Sequence, residues 1–208
     1  WIAGLEGSVT PIAAPGPWVL PAFTLGALWL VLWQGKIRLA GMLPLIASLA
    51  LWMGQGRPDL LISGDGKLLG LVGPEGRALS AGSGGGFSAE NWLLDDGDLT
   101  DQKTAALRDG FSGPKGARWF QIGIEKAVAL SGKSGEAAMG QACASGALVI
   151  LAAKAEAAPK DCRLIDQAML RETGPIAFWV EGDSIRMETV AKARRIWSRP
   201  ARPVDLPK

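Results

Sequence analysis

Two uncharged apolar stretches, separated by a short polar turn, dominate the start of the chain. They read PWVLPAFTLGALWLVLW from Pro17 to Trp33 and LAGMLPLIASLALWM from Leu39 to Met53. Apolar residues would lie on all sides of either segment in a helix, whereas a surface helix of a soluble protein has a polar face. The pattern predicts two transmembrane helices, at about residues 17–34 and 39–55, within a membrane domain of residues 1–56. The alternative is a hairpin buried in a soluble core.

The residues that flank these stretches predict an orientation in the bilayer. Trp29, Trp33 and Trp52 lie near the ends of the segments, where aromatic residues favour the membrane interface. Lys36 and Arg38 lie in the turn between the segments, and positive charge favours the cytoplasmic side. The turn is therefore expected in the cytoplasm and everything after the hairpin on the outer side of the membrane.

The pattern changes after the second apolar stretch to short apolar runs separated by turn signals. GDG at residues 64–66 and GPEG at residues 73–76 divide the first three runs, as in a β-meander. Further along, strands are expected at 119–124, 127–130, 147–151, 164–165, 176–180 and 184–188, and helices at 88–94, 99–108, 135–144 and 166–173. The mixture predicts an α/β domain over residues 57–190, with a sheet of seven or more strands.

Composition limits the chemistry that this domain can perform. The 208 residues include no histidine, only two cysteines and 20% charged residues, against 48% hydrophobic residues and nine tryptophans. Without imidazole, a Ser-His-Asp triad, a Cys-His pair and the commonest zinc ligand are all excluded. We therefore expect no enzymatic activity, no catalytic residue, no metal ligand and no cofactor.

The segment AVALSGKSGEAAMGQA, at residues 127–142, has the strand, Gly-Lys-Ser and helix order of a phosphate-binding loop. That motif requires a glycine five positions before Gly132, where this chain has Ala127. The segment is interpreted as a plain turn between a strand and a helix, with the Ser134 hydroxyl capping the helix.

Four aspartates are clustered in WLLDDGDLTDQ, at positions 95, 96, 98 and 101. Clustered carboxylates can hold a divalent cation, and a metal-dependent nuclease built on them is the enzymatic alternative for this chain. The spacing does not match a calcium-binding loop, however. A turn followed by an acid-rich helix start is the simpler interpretation.

Cys143 lies a few residues before the strand predicted at 147–151, and Cys162 lies just before the strand predicted at 164–165. If the two strands are parallel neighbours, both cysteines lie at the same sheet edge and can form a disulfide, as an oxidising compartment would favour. Two buried free thiols are the alternative.

The last residues, 191–208, form a basic segment that is expected to be disordered. Phosphate groups of DNA or of lipid are its expected partners, with stacking of the tryptophan on a base. The candidate contacts are Lys192, Arg194, Arg195, Trp197 and Arg199. A solvated tail without a ligand is the alternative.

Taken together, several segments resemble the C-terminal part of the ComEC family, the competence proteins that internalise DNA, in its alphaproteobacterial form. The segments are RPDLLISGDGKLLGLVGPEGRALS, GFSAENWLLDDGD, ACASGALVILAA and IDQAMLRETGPIAFWV, in this order after the apolar hairpin. The resemblance extends over essentially the whole chain.

The resemblance implies a fold, a function and a set of partners. The fold would be a transmembrane hairpin followed by an αββα-like, degenerate metallo-β-lactamase-like domain that lacks the metal ligands. The function would be uptake of single-stranded DNA through the inner membrane during natural transformation. Single-stranded DNA, the lipid bilayer, the rest of a longer channel chain and other competence proteins would be the partners. Because the chain has no histidine, the domain would bind or guide DNA without cutting it.

Overall fold

A computed structural model describes residues 12–155, 162–182 and 184–189 of the chain. The chain divides into two compact units, Trp1–Arg57 and Pro58–Lys208, and each is described separately below.

The N-terminal unit is a pair of apolar helices packed against each other. Helix α1 spans Val19–Leu32, a 3₁₀ helix spans Lys36–Gly41, and helix α2 spans Met42–Met53. Helix α1 is one arm of this hairpin, and the 3₁₀ helix with α2 is the other. The two arms approach closely at two glycines, because a Cβ atom added to Gly26 would lie 2.7 Å from the carbonyl oxygen of Gly41. Small residues at such a crossing allow helix backbones to come together.

The helical arms differ in length from the prediction. The segment Lys36–Met53, which combines the 3₁₀ helix and α2, has the length and hydropathy needed to cross a membrane. Helix α1 has 14 residues and is shorter than the predicted span of 17–34. Among the described residues, one helix is therefore long and apolar enough to cross a bilayer, and α1 falls short of that length.

Within the described residues, the second unit has nine strands, and they form two sheets in place of the one sheet that the apolar pattern predicted. The first sheet is antiparallel and has the order β3-β2-β1-β8-β9. Its strands are β1 Leu60–Ile62, β2 Leu69–Gly73, β3 Gly76–Leu79, β8 Ile176–Glu181 and β9 Ser184–Thr189. The second sheet, in the order β4-β5-β6-β7, is mixed. It comprises β4 Ala117–Ile122, β5 Glu125–Leu130, β6 Leu148–Leu151 and β7 Leu164–Ile165.

Among the described residues, the helices of this unit are α3 Gly86–Asp95, α4 Gln102–Ala105, α5 Gly132–Ala144 and α6 Gln167–Thr173. Helices α3, α4 and α5 cover the outer faces of the sheets, whereas α6 packs, through Leu170, against the core between the sheets. One buried cluster joins side chains of both sheets, including Leu60 of β1 and Ile150 of β6, so the sheets pack face to face. A second cluster lies between α5 and the second sheet, and a third lies between the first sheet and helices α3 and α4. The layers therefore follow the order helix, sheet, sheet, helix.

Apolar residues on both faces of the second sheet explain the division into two sheets. In β5, Ala127 and Ala129 belong to the cluster between the sheets, whereas Val128 and Leu130 belong to the cluster under α5. Such continuous apolar runs are typical of strands covered on both faces. The α/β class predicted for this unit is confirmed, and its strands form a mixed and an antiparallel sheet.

Candidate functional site

A groove of about 630 Å³, lined by described residues, lies on the outer face of the first sheet. It lies beside α3, where Leu61 of β1 and Ala177 of β8 are directly paired and both line the groove. Trp92 of α3 and the prolines Pro58 and Pro175 add further apolar surface. The polar residues that line the groove are Arg77, Asp95, Asp96, Glu188 and Thr189.

A buried arginine closes one side of this groove. The Arg77 side chain is only 1% exposed, and its Nε and Nη2 atoms donate to the two carboxylate oxygens of Asp96, at 2.6 and 3.2 Å. The remaining donors reach the carbonyl oxygens of Gly70 and Pro58, both at 3.2 Å. A guanidinium can be buried in this way because its charge is paired and its N–H groups have acceptors.

Gly70, on the neighbouring strand β2, makes room for the Arg77 side chain. A Cβ atom added to Gly70 on β2 would lie 2.8 Å from Cδ of Arg77 and 3.1 Å from a ring carbon of Trp92. The arginine therefore crosses the neighbouring strand directly over its backbone, and α3 covers it with the Trp92 ring. A larger residue at position 70 would displace the arginine or the helix.

The four clustered aspartates do not converge on one point. Asp96 binds Arg77, Asp98 binds Arg108, and Asp101 occupies the N-cap position of α4. Asp95 is the last residue of α3 and lines the groove. Within residues 12–155, 162–182 and 184–189, no three carboxylates or thiols lie close enough to hold a metal ion together. The nuclease alternative depends on these carboxylates, and two of them, Asp96 and Asp98, form ion pairs with arginines.

Asp98 is the most strongly perturbed acid of the described chain. Burial raises the pKa of its carboxyl group, but hydrogen bonds from Arg108 and Thr100 outweigh burial and bring the pKa down to about 2. Arg108 also donates to the Thr100 hydroxyl and to the carbonyl oxygen of Arg77. This network fastens the segment between α3 and α4 to strand β3.

Replacing Asp98 with asparagine should therefore make the free energy of unfolding depend less on pH in the acid range. Because the folded-state pKa lies below the ordinary value of 3.8, the charged form stabilises the protein above about pH 4, and this contribution is lost as the pH falls toward 2. We expect Asp98→Asn to lower the free energy of unfolding by about 1–2 kcal/mol at neutral pH, and by much less near pH 2. Urea unfolding at the two pH values measures both effects.

Asp95→Asn is the matched control for this prediction, because Asp95 is exposed and belongs to the same cluster. Its free energy of unfolding should stay close to that of the unaltered chain at both pH values. An equal loss at both pH values for Asp98→Asn would contradict the proposed role of the charge.

The Gly-Lys-Ser segment forms a turn between a strand and a helix. Helix α5 begins at Gly132, three residues earlier than expected, and Ser131 occupies its N-cap position. Ser134 therefore lies in the first turn and does not cap the helix, which corrects the prediction. A Cβ atom added to Gly116 would collide with the Ser134 hydroxyl, so this serine packs against the loop before β4.

Cys143 and Cys162 are joined by a disulfide, with their Cα atoms 5.0 Å apart. Cys143 lies near the end of α5, and Cys162 lies just before β7. The strands that follow them, β6 and β7, are parallel neighbours, as the disulfide hypothesis required. Closing a loop of 19 residues stabilises a fold by about 3 kcal/mol through the entropy of the unfolded chain.

The basic residues proposed to bind phosphate, Lys192, Arg194, Arg195, Trp197 and Arg199, lie outside the described residues. The groove itself does not suit phosphate, because Asp95 and Glu188 on its walls are acidic and its arginine is bound to Asp96. Its chemistry favours an apolar group that carries a positive charge. DNA contact, as predicted from the sequence, therefore depends on residues elsewhere in the chain.

Sequence reasoning missed Arg77 and the groove. The signal was a single charged residue inside the apolar strand GRAL, together with a glycine inside the apolar strand LGLVG. A charged residue in such a strand requires a buried partner of opposite charge. The chain has many acidic residues, so the sequence alone could not show which of them pairs with Arg77.

Searches against protein-family models, curated proteins and solved structures found no match to this chain.

Proposed function

We propose that the chain is part of an inner-membrane channel of the ComEC type, which takes up single-stranded DNA during natural transformation. The observation that carries the membrane part of this proposal is the outer surface of the N-terminal unit. Large apolar side chains on both arms are more than half exposed, among them Leu20, Leu25, Leu28, Leu43 and Ile46. A soluble protein rarely exposes so much contiguous apolar surface, whereas lipid would cover it.

The proposed location of the second unit is the periplasm. The Cys143–Cys162 disulfide supports this side of the membrane, since disulfides persist in the periplasm and are rare in the cytosol. The lysine and the arginine in the hairpin turn favour the same topology.

The proposed role of the second unit is to support or guide DNA without cutting it. Its helix-sheet-sheet-helix layers are consistent with a degenerate metallo-β-lactamase-like domain, which is the fold that the family resemblance implies. The chain has no histidine, and two aspartates of the DDGD segment are paired with arginines. Neither observation favours a metal-dependent nuclease.

Binding of a fluorescent single-stranded oligonucleotide to the detergent-solubilised chain tests the DNA role. We expect binding that weakens with salt, because cations of the C-terminal segment would displace counterions from the phosphates. Replacing Lys192, Arg194, Arg195 and Arg199 with serine should reduce the slope of log affinity against log salt by about 0.7 for each phosphate that the variant no longer neutralises. A matched variant with serine at Lys67, Lys103, Lys115 and Lys126 should leave the slope nearly unchanged.

Two outcomes of this assay would argue against the proposal. Equal slopes for the two variants would remove the C-terminal segment as the DNA-binding element. Cleavage of the oligonucleotide with magnesium, abolished by Asp98→Ala, would favour the nuclease alternative.

A further inference from the structure

Strand β9, at the edge of the first sheet, has a row of backbone polar groups that no described strand covers. Among the described strands it pairs with β8 alone, in the register Glu181↔Ser184, Trp179↔Arg186 and Ala177↔Glu188. An unpaired edge of this kind can accept a further strand.

The register determines which backbone groups lie on the free edge. The Val180 N–H donates to a carboxylate oxygen of Asp59, just before β1, so the even-numbered residues of β8 direct their polar groups toward β1. The odd-numbered residues of β8 consequently bond to β9, where their partners are residues 184, 186 and 188. The N–H and C=O groups of Ile185, Met187 and Thr189 therefore point away from the sheet.

The side chains of β9 alternate between the core and the solvent. Ile185 and Met187 pack against the cluster between the two sheets. On the opposite face, Arg186 lies 5.3 Å from the ring of Trp179 and forms ion pairs with Glu181 and Glu188 of the same chain. The exposed face of the edge strand thus has one positive and one negative side chain, two residues apart.

We propose that β9 pairs with β9 of a second copy of this chain, in antiparallel orientation, about a twofold axis through Met187. In this register each Met187 faces Met187 of the other copy, and each Ile185 faces Thr189, so all the free backbone groups of the edge form hydrogen bonds. Each Arg186 then lies opposite Glu188 of the other copy, in the non-hydrogen-bonded pair whose side chains are closest. The first sheet becomes continuous across the two copies.

Charge selects this register over its neighbours. A twofold axis through residue 186 would place the two arginines directly opposite each other, and an axis through residue 188 would do the same for the two glutamates. Like charges in opposite positions of two strands destabilise the pairing. The axis through Met187 gives two opposite-charge pairs, and this complementarity identifies a second copy as the occupant of the edge.

Exchange of the two charges tests this dimer in the detergent-solubilised full-length chain, with mass measured by sedimentation velocity. The unaltered chain should be a dimer. Arg186→Glu alone places Glu opposite Glu, and Glu188→Arg alone places Arg opposite Arg, so each variant should dimerise with a dissociation constant raised by about tenfold or more. An equimolar mixture of the two variants should form the dimer again, because each copy then supplies the charges that the other lacks.

Two further variants separate this interface from folding and from pairs within one chain. The double exchange Arg186→Glu with Glu188→Arg should be a dimer by itself. Glu181→Gln removes the nearest partner of Arg186 within the chain without touching the edge, and should leave the dimer intact. A monomeric unaltered chain, single variants that remain dimeric, or a mixture that stays monomeric would each overturn the proposal.

Discussion

Replacing Arg77 with methionine should lower the free energy of unfolding by about 3–5 kcal/mol. The guanidinium is almost fully buried, and it donates to both oxygens of Asp96, whose side chain is 8% exposed. Methionine fills a similar volume but removes the two charge-assisted hydrogen bonds that this carboxylate accepts, and losing one partner of a buried ion pair costs more than the pair itself contributes. The carbonyl groups of Gly70 and Pro58 lose a donor as well. Urea unfolding, followed by circular dichroism, measures the decrease in stability.

Two controls distinguish the buried charge from a general effect of the substitution. The double variant Arg77→Met with Asp96→Leu removes both charges, and should recover most of the stability that the single variant loses. Arg163→Met breaks the ion pair with Glu125, in which both side chains are about one-third exposed, and should cost about 1 kcal/mol or less. A cost below 1 kcal/mol for Arg77→Met would show that the pair does not stabilise this unit.

The aspartate segment shows where sequence reasoning ends. The turn at Asp96-Gly97 and the acidic residue before α4 are local features, and the sequence predicted both. The partner of Asp96 lies 19 residues away on β3, and the partner of Asp98 lies 10 residues away beyond α4. Only the packing of α3 on the first sheet brings these charges together, so local patterns could not assign them.

The Cys143–Cys162 disulfide and the start of helix α5 likewise separate what local sequence predicts from what only the folded structure determines. The prediction for Cys143 and Cys162 depended on two parallel strands, and the apolar run at Leu148–Leu151 is typical of one of them. The other strand has only two residues, so its pairing with β6 is seen only in the structure. The cap of α5 depended on which of two serines adopts extended backbone angles. Ser131 does so, because β5 ends at Leu130 and the chain turns at Gly132, whose φ of 66° suits glycine. A composition pattern does not contain that information.

Arginine in place of Leu25 and Ile46 together should release the chain from the membrane fraction. Both side chains lie near the middle of their helical segments and are about 60% exposed on the surface of the N-terminal unit. Arginine at the centre of a membrane helix costs about 2.5–3.5 kcal/mol, whereas leucine or isoleucine there is favourable by about 0.3–0.6 kcal/mol. The double variant should therefore lose about 6 kcal/mol of insertion free energy, enough to shift most of the chain into the carbonate-soluble fraction.

Ile37→Arg is the matched control for the hairpin, because Ile37 is equally exposed but lies between Lys36 and Arg38 in the turn. In the proposed topology, positive charge at this position faces the interface, so this variant should remain in the membrane fraction with the unaltered chain. Release of the unaltered chain into buffer without detergent would favour a hairpin buried in a soluble assembly. Retention of the Leu25→Arg, Ile46→Arg double variant would show that lipid does not cover these two side chains, because hydrocarbon discriminates strongly against arginine and a protein or aqueous surface does not.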